Sequence, residues 1–96
     1  MSDISFEWDP RKAATNAAKH QVSFEEAATV FEDESAMLIN DPDHSDEEDR
    51  FILLGMSRLA RILVVVHCYR ESDEVIRIIS ARQAARQEKQ QYSSRH

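Results

Sequence analysis

Arg61-Ile62-Leu63-Val64-Val65-Val66-His67-Cys68-Tyr69, then Glu74-Val75-Ile76-Arg77-Ile78-Ile79-Ser80, then Ala81-Arg82-Gln83-Ala84-Ala85-Arg86: the reading of this stretch decides the fold. The first two segments are rich in β-branched residues and short enough to be strands. Ile62 to Val66 is apolar on both faces, which predicts a central strand covered by helices. The third segment predicts a helix beginning near Ala81 and fraying beyond Tyr92. Alternation along the second strand places Val75, Arg77 and Ile79 on one face and Ile76, Ile78 and Ser80 on the other. An arginine flanked by isoleucines is costly to bury unless it meets an anion or an acid. The two readings of Arg77 are therefore a phosphate contact or a salt bridge to Glu48, Glu71 or another acid. Arg82 and Arg86 lie one helical turn apart. In the first turn of a helix starting at Ser80 or Ala81, Arg82 opposes the helix dipole, while the free N–H groups there favour anions. Together Arg77, Arg82 and Arg86 are expected to gather at one end of the sheet as a phosphate cradle. The competing reading is a solvated charged face.

Upstream, Ile4-Ser5-Phe6-Glu7-Trp8 alternates as a short strand. Asp9-Pro10 then supplies an N-cap and a proline at the first helical position. Ala13, Ala14, Ala17 and Ala18 form a small-residue stripe that predicts close packing of this helix, which should end near Lys19-His20-Gln21. Ser23-Phe24-Glu25-Glu26 is a capping box. Phe24, Ala27, Ala28 and Phe31 give the second helix one apolar face, up to about Glu32-Asp33. Ala36 to Ile39 and Arg50 to Met56 are further strands, separated by the polar loop 41–49. Short connections imply an antiparallel meander. The expected fold is α+β, a single domain over 1–96, with two N-terminal helices and a C-terminal helix on one side of an antiparallel sheet of about four strands.

Ninety-six residues with 42% apolar and 31% charged content, one Gly and two Pro exclude a low-complexity chain. The lone Cys68 permits no internal disulfide and fits a reducing compartment. No apolar run reaches membrane-spanning length, so a cytoplasmic protein is expected. The net charge of −6 argues against simple nucleic-acid binding. Its distribution is uneven: residues 1–49 carry fourteen acids and three bases, residues 50–96 four acids and nine bases. The basic half can hold a local phosphate site, and the acidic half can attract a basic partner.

His67 shares a face with Leu63 and Val65, where a core role competes with general acid–base work. His20 is expected to be a cation at a helix end. His44 lies in the acidic loop as acid, base or solvated side chain. His20, His44, His67 and Cys68 lack zinc-ligand spacing. The 41–49 loop resembles a calcium loop only in acidity. No metal site and no cofactor are expected.

The chain resembles the BrnT family. The resemblance is carried by Phe6-Glu7-Trp8-Asp9-Pro10, Ala18-Lys19-His20-Gln21-Val22-Ser23-Phe24-Glu25-Glu26-Ala27, Asp41-Pro42-Asp43-His44-Ser45, Glu48-Asp49-Arg50-Phe51, Leu63-Val64-Val65-Val66-His67, and Arg77-Ile78-Ile79-Ser80-Ala81-Arg82 with Glu88 and Tyr92. Two departures stand out: Gln21 replaces a usual glycine, and the final helix holds fewer arginines. The resemblance implies a RelE-like fold and a toxin of a type II toxin–antitoxin module. It also implies metal-independent RNA cleavage, inhibition of translation, and neutralisation by a BrnA-type antitoxin through which alone operator DNA is bound.

Such cleavage needs a base for the 2′-hydroxyl, cations for the phosphorane and an acid for the leaving 5′-oxygen. Arg77 and Arg82 are the expected phosphate stabilisers, with Arg50 as a third candidate. His67 or Glu48 is the candidate base, and His67, His44 or Tyr92 the candidate acid. Arg86, Lys89 and Tyr92 are expected RNA contacts. The alternative is a catalytically weak or inactive relative that serves as a binding or corepressor module with its DNA-binding antitoxin.

Overall fold

The computed structural model describes residues 4–40, 50–70 and 74–94. Strand β1 (Ser5–Glu7) leads to helix α1 (Pro10–His20). Helix α2 (Phe24–Thr29) follows and runs into a 3-10 turn at Val30–Glu32. Strands β2 (Met37–Asn40), β3 (Phe51–Met56), β4 (Ile62–Arg70) and β5 (Val75–Gln83) precede helix α3 (Arg86–Ser93). The sheet order is β1-β5-β4-β3-β2. Strands β2 to β5 form the expected antiparallel meander, but β1 adds a fifth strand, parallel to β5. The sheet is therefore mixed and has five strands.

The two N-terminal helices begin at the expected caps, but the capping box at Ser23 is only half formed, because Ser57 and Arg61 hold the Glu26 carboxylate. Asp9 accepts a hydrogen bond from the Arg11 N–H at 2.8 Å, and Ser23 Oγ accepts from the Glu26 N–H at 3.0 Å. Helix α1 ends on Gln21 in the left-handed region (φ 57°), with its N–H on the Ala17 carbonyl. The Gln21 amide also donates to the Ala18 carbonyl, a local compensation that glycine could not supply.

Cross-strand partners define two sheet faces. On one, Leu53, Val65, Ile78 and Ala81 meet Val22, Phe24, Ala27 and Val30, with Ala28 and Phe31 packed at the margin. On the other, Leu54, Val64 and Ala84 meet Tyr92 of α3. Each large side chain fully buried here contributes about 1.5–3 kcal/mol. The third helix thus covers the face opposite α1 and α2, a correction to helices all on one side. It follows from Leu54 and Val64 being as apolar as their neighbours Leu53 and Val65, so both faces need cover.

Two further expectations are corrected. The run from Ala81 to Gln83 is strand, and α3 starts at Arg86. Its helix propensity is overridden by the ladder to Leu63, Val64 and Val65, and by Asn16. The Asn16 amide donates to the Ala81 carbonyl at 2.8 Å and accepts from the Ala81 N–H at 3.0 Å. It also donates to the Val22 carbonyl at 3.0 Å. Asn16 thereby occupies the edge of β5 past the end of β1, where an unpaired strand edge would otherwise lie. The alanine stripe does not do the packing: Ala14, Ala17 and Ala18 are exposed, and Asn16 is the buried residue of α1.

Gly55 on β3 marks a close approach. A Cβ there would lie 2.8 Å from Ala36 Cβ and 2.9 Å from Val30 Cγ1. Gly55→Ala is expected to destabilise the fold by about 1–3 kcal/mol through overpacking. A denaturant midpoint equal to wild type would contradict that contact.

Candidate nucleic-acid interface

The position of the arginines turns on one irregularity. Val66 pairs with Ser80 but His67 pairs with Ile78, so Ile79 is an extra residue, a β-bulge. The bulge reverses the alternation beyond it. Ile78 and Ala81 both enter the core under α1 and α2, and Ser80 moves to the face of Arg77 and Arg82. The expected grouping of Ser80 with Ile76 and Ile78 is corrected accordingly. Without the bulge, Arg77 and Arg82, five residues apart, would face opposite sides of the sheet.

Both arginines are engaged. Arg77 Nη1 donates to Glu7 Oε2 at 2.9 Å, and Glu7 also lies 3.4 Å from Arg70 Nε. Arg82 makes a two-pronged contact with Glu88, at 2.8 and 2.9 Å. Glu88 accepts from the Ala85 N–H as well, closing the start of α3. The Arg82 guanidinium holds the Glu88 carboxyl below its ordinary pKa. These pairs are partly exposed, and such pairs are weak enough for a phosphate to exchange with the carboxylate.

Arg86 and Lys89 border a shallow groove on α3 and have no ion-pair partner among the described residues. They lie beyond Arg82 in the chain, with Glu88 between them. Arg50 is half-buried just before β3. Glu48, His44 and the whole 41–49 loop lie outside the described residues.

His67 does not join this group. It pairs with Phe51 and Ile78 on the face toward α2 and has no exposed surface. Its ring contacts Phe31 edge-on at 4.8 Å and Tyr69 at 5.2 Å. The nitrogens face the Val65 carbonyl (3.2 Å) and the Tyr69 hydroxyl (3.4 Å). Burial pushes its pKa down, which keeps the imidazole neutral. Tyr92 is also committed: its hydroxyl donates to Asp33 Oδ2 at 2.7 Å, and that carboxylate with burial pushes its pKa up to about 12. The Asp33–Tyr92 bond ties the end of α3 to the turn after α2.

A second cationic surface was not anticipated. A cleft of about 310 Å³ runs between α1 and β5. Arg11, Lys12, Lys19 and His20 line it with Thr15 and Ser80, and among the described residues no acid does. The spacing 11-15-19 and 12-16-20 was visible in the sequence as two i, i+4 rows. A charge balance over the whole acidic half conceals that its three bases all lie on this helix.

A mixed five-stranded sheet covered by helices on both faces defines a small α+β protein. A crystal structure of the Brucella abortus ribonuclease toxin BrnT is similar to this chain at a TM-score of 0.65 and 26% identity, over 86% of this chain and 99% of that one. No curated protein matches. The family model for the ribonuclease toxin BrnT of type II toxin–antitoxin systems matches residues 8–88, and the chain belongs to that family. A type II family implies an antitoxin partner. Among the described residues no helix is long and apolar enough to cross a membrane.

Proposed function

We propose that the chain is the RNA-cleaving toxin of its module, acting in the cytoplasm on RNA and thereby on translation, and neutralised by a BrnA-type antitoxin. The observation that carries this reading is the bulge at Ile79, which puts Arg77, Ser80 and Arg82 on one sheet face, with Arg82 tied to α3 through Glu88. Arg77 can hold the scissile phosphate and stabilise the phosphorane, and Arg82, farther along the strand opposite Val64, a neighbouring phosphate, with charge that requires no bound metal. Arg86 and Lys89 extend the cationic surface toward flanking phosphates. On the same face Glu7 and Glu88 are the carboxylates beside the arginines. When phosphate displaces one, it becomes a local acceptor for the 2′-hydroxyl proton and can return that proton to the leaving 5′-oxygen as the 2′-oxygen closes a cyclic phosphate. Expressed without its antitoxin, the protein should arrest growth and fragment RNA. The purified chain should cut RNA in excess EDTA. Intact RNA in arrested cells, or activity lost to EDTA and restored by a divalent ion, would count against the reading.

One observation favours a second reading, a non-catalytic binding module: both arginines already hold carboxylates. On that reading the chain copurifies with its antitoxin and represses with it, yet leaves growth and RNA unaffected when expressed alone.

A further inference from the structure

We propose that the cleft between α1 and the open edge of β5 is a docking site for the phosphodiester backbone of single-stranded RNA. This deepens the ribonuclease reading and rests on it for the identity of the polymer. Arg11, Lys12 and Lys19 are exposed, and their side chains have no carboxylate partner among the described residues. Helix stability accounts for Lys19, in the last turn, but not for Arg11 and Lys12. Arg11 and Lys12 sit in the first turn, where the dipole disfavours cations, and that turn contains no acid. Asp9, the nearest acid in the chain, accepts the Arg11 backbone N–H as N-cap. From residue 11 to 19 the helix rises about 12 Å, enough for a stretch of backbone rather than one isolated anion.

The cleft also leads somewhere. Ser80 lines it, and Ser80 belongs to the strand face that carries Arg77 and Arg82. The passage crosses β5 between the last residue paired with β1, Arg77, and the Asn16 clamp at Ala81. A strand laid along α1 would therefore pass over this short open edge and reach the arginine face. Thr15 and Ser80 hydroxyls along the way suit ribose 2′-hydroxyls, which favours RNA over DNA.

The test compares the Arg77→Ala chain, chosen to suppress cutting, with its Arg11→Gln/Lys12→Gln/Lys19→Gln derivative, both titrated with a fluorescent 20-nucleotide single-stranded RNA at several salt concentrations. The derivative should bind about 10–100-fold more weakly, and its log Kd against log salt slope should fall by about 2, at ~0.7 per lost contact. Circular dichroism checks that each variant is folded. Should the triple variant not fold, Lys12→Gln/Lys19→Gln replaces it, with an expected fall in slope of about 1.4. An Arg11→Lys/Lys12→Arg/Lys19→Arg chain should restore binding. Equal affinity and equal slope in the two chains would overturn the site. So would tighter binding of a 20-base-pair DNA duplex at matched salt. If the wild-type chain proves unable to cut RNA while the cleft substitutions still weaken RNA binding, the ribonuclease reading falls and the docking site stands.

Discussion

Arg77→Ala should abolish growth arrest while leaving a folded protein that still copurifies with its antitoxin. Loss of one preorganised cation at a developing phosphorane costs about 10²–10³ in rate. The same change should alter stability by no more than about 1 kcal/mol, because the Arg77–Glu7 pair is partly exposed and screened by solvent. Separation of a large catalytic loss from a small stability loss distinguishes a phosphate contact from a structural ion pair. Glu7→Gln sharpens the contrast. It removes the same ion pair but leaves Arg77 in place, so activity should survive if the guanidinium serves the substrate and Glu88, not Glu7, accepts the 2′-hydroxyl proton. If Arg77→Ala arrests growth as strongly as wild type at equal expression, the β5 face is not where RNA is cut, and the binding-module reading gains.

The parts of this architecture that could be read from the sequence are those with local causes. Asp9-Pro10 and Ser23-x-x-Glu26 mark helix starts because capping needs only neighbouring residues. The apolar runs at 51–56 and 62–69 mark strands because burial on two faces leaves that composition. What escaped the reading depends on distant contacts. Glu7 is seventy residues from Arg77 and reaches it only because β1 pairs parallel with β5. The bulge at Ile79 has no glycine to announce it, and Ile78-Ile79 reads as unbroken strand. Ala81 to Gln83 consists largely of good helix formers that the sheet ladder and Asn16 hold extended. The arginine face could therefore be listed residue by residue from sequence, yet its membership and its carboxylate partners could not. Among the residues read as candidates, His67 illustrates the limit: strand alternation placed it beside Leu63 and Val65, but only packing shows its ring enclosed by Phe31, Phe51 and Tyr69.

Arg61→Ala should produce the largest loss of stability among single surface-proximal changes, about 3–5 kcal/mol. Arg61 Nε donates to Glu26 Oε2 at 2.9 Å, and its Nη2 contacts Glu26 Oε1 closely and the Gln21 carbonyl at 2.9 Å. Ser57 Oγ adds a further donor to Glu26 Oε2 at 2.7 Å. The Glu26 side chain is 5% exposed, so removal of the guanidinium would strand a carboxylate away from water. It would also strip a donor from Gln21, the left-handed residue that ends α1, and loosen the β3–β4 turn around Ser57 from α2. For a domain of this size the melting temperature should fall by roughly 12–40 °C. Changing both partners, Glu26→Gln with Arg61→Met, should cost markedly less than Arg61→Ala alone, because no unpaired charge remains. The pH dependence carries a definite sign. The Arg61 hydrogen bond is the main reason the Glu26 pKa lies below its ordinary 4.5. A carboxyl whose folded pKa is depressed stabilises the native state above its unfolded pKa, and that stabilisation fades as pH falls through the folded value. Wild-type stability should therefore decline from about pH 4.5 downward, and the Arg61→Ala chain should show a shallower decline over the same range. Parallel declines in the two proteins would place the acid sensitivity in other carboxylates and remove Glu26 as its source.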